Sequence, residues 1–408
     1  MALMPVAQAL ALVLRDASPL GPEATPLAEA HGRVLAEDLA ALRTQPPDDV
    51  SAMDGYAVRA EDVAKAPASL RLIGEVAAGR PFDGTVASGE AARIFTGGVM
   101  PRGADTVVIQ EHTSRADDSL ASNTVVVDKP TGKGRNVRPR GLDFTMGAVL
   151  LRRGRRLSDR DLALAAAMNH PTVPVHRRPK VAVLATGDEL VMPGTTPGAG
   201  EIVYSNGFAT IALARREGCD IVDLGIAPDR LPETVAAIRC ASQNGADILV
   251  TSGGASVGEY DLVQKALAGE GLALSFWKIA MRPGRPMLHG RLGAMHVLGL
   301  PGNPVSSYVC AYLFLVPLIR RLMGRIDIER VPEPAVLGAD LPENDERADY
   351  LRATLAIGPN GTQIATACPV QDSSMLAPLA QADCLLIREP HAPAARAGSP
   401  CTILKLDP

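Results

Sequence analysis

Carboxylates recur in this chain where apolar runs break into glycine-rich or polar loops. Asp188 and Glu189 stand in Thr186-Gly187-Asp188-Glu189-Leu190, directly after the run Lys180–Ala185. Asp229 follows Ile221–Ile226. Asp261 closes Thr251-Ser252-Gly253-Gly254-Ala255-Ser256-Val257-Gly258-Glu259-Tyr260-Asp261, which follows Asp247–Val250. Adjacent carboxylates are costly unless paired or bound to a cation. Hard oxygen ligands of this type suit Mg²⁺ carried in with a phosphate. Helix capping by Asp188 is the plainer alternative, and the residues by themselves leave both readings open.

Positive charge stands beside these loops. Lys278 lies in the run Leu274–Ala280, which leads into Met281-Arg282-Pro283-Gly284-Arg285-Pro286. The prolines restrict the loop, and arginine forks bind tetrahedral oxyanions bidentately. A third run, Met295–Leu300, leads into Pro301-Gly302-Asn303-Pro304-Val305-Ser306-Ser307. Asn303 and Ser306 could cap the helix that follows, or an anion could sit at its N-terminus. Gly253, Gly254 and Ser256 add backbone donors of the kind that cradle phosphates. If the three runs are parallel strands, their loops emerge together at the carboxyl edge of one sheet, where open α/β folds bind ligands.

Two earlier loops are weaker signals. Asp54 lies in Ser51-Ala52-Met53-Asp54-Gly55-Tyr56-Ala57 and Thr96 in Phe95-Thr96-Gly97-Gly98-Val99-Met100-Pro101, both of which also read as simple turns. There is no GxSxG elbow, GxxxxGK[ST] loop or HExxH pair, so a hydrolase triad is poorly supported. His289 and His296 lie near the arginine loop with nothing in the sequence to pair them.

These loops need rigid elements to hold them. From Pro179 the chain alternates strands with helices at Asn206–Glu217, Pro232–Ser242, Glu259–Leu267 and Val305–Met323. That pattern predicts a doubly wound α/β domain over 179–324. Before it, Leu70–Ile73, Ala91–Phe95, Thr106–Gln110 and Thr124–Asp128 predict a β-rich lobe over 46–140, inserted into an elongated N-terminal domain of 1–45 with 141–178. Ser158 is a plausible N-cap for a helix over Leu157–Met168. After Gly324, short runs at Ala335–Leu337, Tyr350–Ala356, Gln363–Ala367, Cys384–Arg388 and Thr402–Leu406 predict a small C-terminal β-barrel over 325–408. The predicted fold is therefore multidomain α/β plus β.

Composition narrows the classes. Of 408 residues, 47% are apolar, 21% charged and only 3% aromatic, and the net charge is −4, which gives no basic footprint for nucleic acid. The six cysteines show no CxxC or CxxH spacing, which fits reduced thiols in a cytoplasmic protein. Met1–Leu14 is apolar but lacks a basic lead, and it reads as an amphipathic helix rather than a signal peptide. The longest apolar run, Val309–Ile319, is about eleven residues, too short to span a bilayer, so no membrane role is expected.

The motifs taken together resemble one family. SAMDGYAVR at 51–59, FTGGVMPRGADTVV at 95–108, GRNVRPRGLD at 134–143, TGDEL at 186–190, TSGGASVGEYD at 251–261, MRPGRP at 281–286 and GLPGNPVSS at 299–307 occur in the order seen in molybdopterin molybdenumtransferases, the MoeA proteins related to the gephyrin E domain and its plant counterpart. The resemblance covers nearly the whole chain. It implies insertion of molybdenum from molybdate into adenylylated molybdopterin, with Mg²⁺ and release of AMP. It also implies a homodimer whose cleft lies between the α/β domain of one subunit and the lobe of the other. The upstream adenylyltransferase and acceptor molybdoenzymes are implied partners.

Carried over by residue, the resemblance assigns Asp188, Glu189, Asp229 and Asp261 to Mg²⁺ and phosphate, and Gly253, Gly254 and Ser256 to the phosphate loop. Arg282, Arg285, Pro286, Pro301, Pro304 and Ser306 fall around the pterin and molybdate, and Lys278, by its charge beside the same edge, is a further cofactor-binding candidate. Arg352 and Ser373 match molybdate positions, and Asp54, Thr96 and Asp143 match the lobe that closes the cleft from the partner. Three departures stand out: Leu142 before Asp143, arginines at 282 and 285 where lysines are frequent, and Asp372 before Ser373 where glycine is common. A molybdopterin adenylyltransferase is the nearest alternative, because the α/β domain is shared, but the lobe and tail argue against it. A non-catalytic scaffold would tolerate loss of Asp188 or Asp261, and both are present.

Overall fold

Six strands form the central sheet, in the order Asp220–Ala227, Lys180–Thr186, Ile248–Ser252, Met295–Leu300, Leu288–Leu292, Ala273–Trp277. The computed structural model describes residues 3–115, 123–253 and 262–406. The first four strands are parallel. Leu288–Leu292 runs antiparallel to both of its neighbours and corrects the expectation of an all-parallel sheet. Its sequence, LHGRL, alternates apolar with polar or small residues rather than forming a buried run, and so gave no strand signal. Two antiparallel steps restore the direction of Ala273–Trp277, so the three loops still leave one edge.

Helices cover both faces. Leu213 and Ala214 of Asn206–Glu217 pack on one face together with Val181, Val183, Val250 and Leu298. Ile238 and Ala241 of Leu231–Gln243 and Val263, Ala266 and Leu267 of Leu262–Gly269 pack on the other, against Ala182, Leu184 and Leu249. The alternation of buried side chains along Lys180–Thr186 assigns odd positions to one core and even positions to the other, as the pleat requires. Lys180–Thr186 leads by one helix to Asp220–Ala227 on one side, while Ile248–Ser252 lies on its other side. Their carboxyl ends therefore frame a topological switch point, where doubly wound sheets open a crevice.

The helix Pro304–Leu322 is long and apolar enough to cross a membrane, but 83% of its most apolar stretch is buried inside the protein. It is the spine of the larger core. The N-terminal helix Val6–Arg15 inserts Ala9 and Val13 into that same core, which also takes in Leu385 and Leu404 from the C-terminal region.

The elongated segment is held by Pro22–Pro26 paired with Thr172–His176 and Leu39–Ala40 paired with Val149–Leu151. Ser158 caps Asp159–Ala167 in a reciprocal box with Asp161, as its position predicts. The inserted lobe is a six-stranded sheet, Thr106–Ile109, Gly55–Val58, Glu90–Ile94, Ala68–Val76, Thr124–Val127, Thr113–Arg115. Its neck is the pairing of Val50–Ser51 with Val137–Arg138.

The C-terminal strands close a five-stranded barrel: Ala348–Ile357, Gln363–Ala367, Glu333–Leu337, Pro400–Lys405, Cys384–Arg388 and back to Ala348–Ile357. Met281–Arg282 adds in parallel to Ala348 and Asp349 of that barrel. The arginine loop of the α/β domain is thereby stitched to the C-terminal domain. All six cysteines are free, and burial pushes the Cys219, Cys310 and Cys384 thiols up, the last to about 12.

Candidate active site

The switch point is built by close backbone approach. At Gly253 φ is +91°, and a Cβ there would lie 2.6 Å from the Thr186 carbonyl oxygen, so only glycine lets the two loops meet. Asp188 and Asp229 are brought together across neighbouring strand ends: the Asp229 backbone N–H donates to Asp188 Oδ1 at 3.1 Å. Glu189 folds back over Gly187, where a Cβ would meet its carboxylate at 2.5 Å. All three carboxylates are exposed, and none has a cationic partner among the described residues. The described residues hold no group of three or more metal-binding side chains in contact. Gly254, Ser256 and Asp261 lie outside the described residues.

The three cations expected beside this edge have three different fates. Arg282 is committed to the barrel: Nε donates to Asp349 Oδ1 at 2.9 Å, Nη2 donates to Asp349 Oδ2, and Nη1 reaches Asp345 at 3.4 Å. Asp349 is buried, so this pair fixes the loop rather than offering an open fork. Lys278 holds a φ of +132°, unusual for a side-chain-bearing residue, and its ammonium lies 4.9 Å from the centre of the Trp277 ring. Arg285 is exposed and has no hydrogen-bond or ion-pair partner among the described residues. Gly284, between the arginines, has φ +132°, and a Cβ there would press on Cys310 and Met281 at 2.8 Å. Pro286 ends this loop.

The loop Pro301-Gly302-Asn303 meets two neighbours. Asn206 Nδ2 donates to the Gly302 carbonyl at 2.7 Å, and Asn303 Nδ2 donates to Ser373 Oγ at 2.8 Å. Asn303 is the N-cap of the helix that begins at Pro304, but its side chain does not cap; the Ser373 carbonyl instead accepts from the Val305 N–H at 3.0 Å. Ser306 is buried in the first turn. Ser373 therefore sits at the helix start.

Arg352, expected beside the oxyanion, lies in the barrel strand Ala348–Ile357. It is 1% exposed and its guanidinium donates to Gln371 Oε1, the Met375 carbonyl and the Val370 carbonyl at 3.3, 2.9 and 3.3 Å. Burial in turn pushes its pKa below the usual arginine value.

In the lobe, Asp54 Oδ1 accepts from the Thr96 N–H at 2.8 Å and the Thr96 hydroxyl at 2.7 Å, which holds the carboxyl below its usual range. Asp143 is exposed on the neck, where its N–H donates to the Gln45 carbonyl at 3.0 Å. The structure thus brings Asp54 and Thr96 together. The hydrogen bonds of Asp54, Thr96 and Asp143 all run within the lobe and its neck.

Three family models cover the chain almost end to end: "MoeA N-terminal region (domain I and II)" over residues 4–169, "probable molybdopterin binding domain" over 182–321, and "MoeA C-terminal region (domain IV)" over 334–406. A molybdopterin molybdenumtransferase of Haemophilus influenzae is 35% identical over 378 residues, 92% of each chain. This chain belongs to the MoeA family. A molybdopterin molybdenumtransferase of a Nostoc species is 40% identical over 302 residues, 72% of this chain and 68% of that one. A molybdopterin biosynthesis MoeA protein of Pyrococcus horikoshii superposes with a TM-score of 0.86 at 30% identity, covering 100% of both chains.

Set in a MoeA fold, the residues that sequence reasoning missed are connectors. Asn206 and Gln371 carry no reactive chemistry; Asn206 reaches Gly302, and Gln371 reaches Arg352 as well as the nearby Cys368. Asn206 had one available signal, its position at the first turn of a predicted helix that starts near the edge.

Proposed function

We propose that this chain transfers molybdenum from molybdate into adenylylated molybdopterin and releases AMP. It is a transferase of molybdenum cofactor biosynthesis, in keeping with the names of its relatives. The observation that carries the finer reading is the pairing of unlike sites at one sheet edge: exposed carboxylates at Asp188, Glu189 and Asp229, and a guanidinium at Arg285 that has no partner among the described residues. Anionic substrates alone would be repelled by the first, and a cation alone would not need the second.

The donor set suits Mg²⁺: hard carboxylate oxygens, solvent-exposed, with Asp188 oriented by a backbone donor. Asp188, Glu189, Asp229 and Asp261 are the proposed ligands, drawn together when the ion arrives with its phosphate, since the described residues hold no ready-made cluster. When bound, Mg²⁺ would neutralise phosphate charge. Arg285 and Lys278 then hold the tetrahedral oxyanion and the nucleotide phosphate by charge-assisted hydrogen bonds. Gly253 brings its backbone to the phosphate without a side chain in the way, and Ser306 lines the helix start. Pro286, Pro301 and Pro304 restrict the loops that carry these groups. No protein nucleophile is needed, because the dithiolene sulfurs of the substrate take the metal and water cleaves the phosphoanhydride. The protein's contribution is positioning and charge balance.

Asp54, Thr96 and Asp143 complete the site from a second copy in this reading. An exposed apolar group on the elongated segment and neck, Leu42, Leu142, Met146, Val149 and Leu150, supports a homodimer. The adenylylating enzyme and apo-molybdoenzymes are the proposed partners, and the cytoplasm the proposed site of action.

The experiment is reconstitution. Purified protein with adenylylated molybdopterin, molybdate and Mg²⁺ is expected to activate an apo-molybdoenzyme, and Asp188→Ala is expected to abolish that. Undiminished activation by Asp188→Ala would remove the carboxylate edge from the mechanism.

A further inference from the structure

Trp277 is the only tryptophan of the chain, and it ends the strand Ala273–Trp277 directly before Lys278. Its ring is half-buried and packs against the core that holds Leu184, Leu249 and Leu288. The Lys278 ammonium lies 4.9 Å from the ring centre. No carboxylate or carbonyl bonds that ammonium among the described residues.

The backbone beneath this contact is pinned. Lys278 has a φ of +132°, where residues with side chains persist only if their surroundings fix them. Those surroundings are the start of the chain and the barrel. The Met4 N–H donates to the Lys278 carbonyl at 3.4 Å, and the Met4 carbonyl accepts from the Ala280 N–H at 2.7 Å, so Met4 brackets Ile279. Met4 leads through Pro5 into the helix Val6–Arg15, which Ala9 and Val13 anchor in the larger core. The Ala280 carbonyl in turn accepts from the Ala348 N–H at 2.9 Å. With the backbone held from both sides, the indole fixes where the long side chain ends. A ring face takes one side of an ammonium and leaves N–H donors open to an anion.

We propose that Trp277 is a positioning residue: its ring presents the Lys278 ammonium to the phosphate or tetrahedral oxyanion bound beside the MRPGRP loop. This rests on the molybdenum-transfer reading above, in which Lys278 holds an anionic substrate. A lysine loses much of its rotamer freedom when it binds an anion. Holding the side chain in place beforehand removes part of that loss, so the ring adds affinity without touching the substrate.

Tryptophan emission reads the pair directly, because every change in it comes from Trp277. AMP, inorganic phosphate and molybdate are titrated separately into the full-length protein. An anion that neutralises the ammonium is expected to shift the emission saturably, in the direction that Lys278→Met shifts it without ligand, and to have no effect in Lys278→Met itself. A response to AMP and phosphate assigns the ammonium to the nucleotide phosphate; a response confined to molybdate assigns it to the metal oxyanion. In steady-state AMP release, Trp277→Leu is expected to raise the KM for that substrate roughly two- to fivefold while kcat holds, the size of a partly exposed cation–π contact. Trp277→Phe should recover most of the loss, and Trp277→Leu should add nothing to Lys278→Met. Emission unmoved by all three anions, an equal response in Lys278→Met, or a Trp277→Leu loss that persists in the Lys278→Met background would each overturn the proposal. Lys278→Met keeps the ring, so the emission test decides even where removing the ring unsettles the fold. Wild-type protein that releases no AMP on addition of molybdate would instead overturn the functional reading, and the emission titrations would still decide the Lys278–Trp277 pair.

Discussion

The backbone N–H of Asp229 donates to the carboxylate of Asp188 at 3.1 Å, tying together two loops that leave adjacent parallel strands. The bond orients one carboxylate, and the Asp229 carboxylate has no partner among the described residues. Asp188→Asn keeps an acceptor for that N–H and removes the charge. It is expected to leave stability within about 0.5 kcal/mol, as befits an exposed site. AMP release measured across a Mg²⁺ titration should fall by about a hundredfold or more, the equivalent of several kcal/mol of lost charge stabilisation.

The two arginines of the MRPGRP loop should separate stability from activity. Arg282→Met leaves the buried Asp349 carboxylate without its partner and should cost about 1–3 kcal/mol in urea unfolding. Arg285→Met removes an exposed side chain that has no partner among the described residues. It should leave unfolding unchanged and raise the KM for molybdate. Equal destabilisation by both changes would contradict the division of roles.

How the sequence and the fold relate is clearest at these positions. Strand–helix periodicity placed the α/β domain, the lobe and the barrel, because each depends on local burial patterns. The close approaches at Gly253 and Gly284 depend on neighbours remote in sequence, Thr186 for the first and Cys310 for the second. Partners did not read. Arg282 looks like a loop cation until Asp349, 67 residues later, is seen beside it. Nothing local to Arg352 reveals that its strand buries it. The strand Leu288–Leu292 was hidden by its polar histidine and arginine, which are accommodated by a network rather than by solvent.

That network predicts an acid transition. Arg291 donates to His296 Nε2, so the other ring nitrogen carries the proton toward His289 Nε2, 3.4 Å away. Burial, then the Arg291 charge, pushes His289 down to about 4 and His296 to about 3; Asp16 pulls weakly the other way on both rings, as Asp247 does on His296, while Arg15 adds to the push on His289. Folding therefore disfavours the charged rings. Between the ordinary value of 6.5 and about 4 the unfolded chain binds protons that the folded chain does not, so stability falls as pH falls through that window. Tm followed against pH should show this slope, and His296→Gln should flatten it. An unchanged slope in the variant would assign the acid sensitivity elsewhere.

The shared cleft can be tested by mixing. Asp54→Ala and Asp188→Ala homodimers should each be inactive. After subunit exchange, heterodimers carry both lesions in one of their two clefts and neither in the other, provided the lobe serves its neighbour. Activity should return on mixing. If each chain completed its own site, mixing would recover nothing.

The most direct measurement is molybdate-dependent AMP release by the purified protein with adenylylated molybdopterin and Mg²⁺, with the molybdenum content of the pterin product determined in the same sample. AMP and molybdenum-loaded product should appear together, and only when molybdate is present. AMP release that ignores molybdate, or a product without molybdenum, would contradict the assignment.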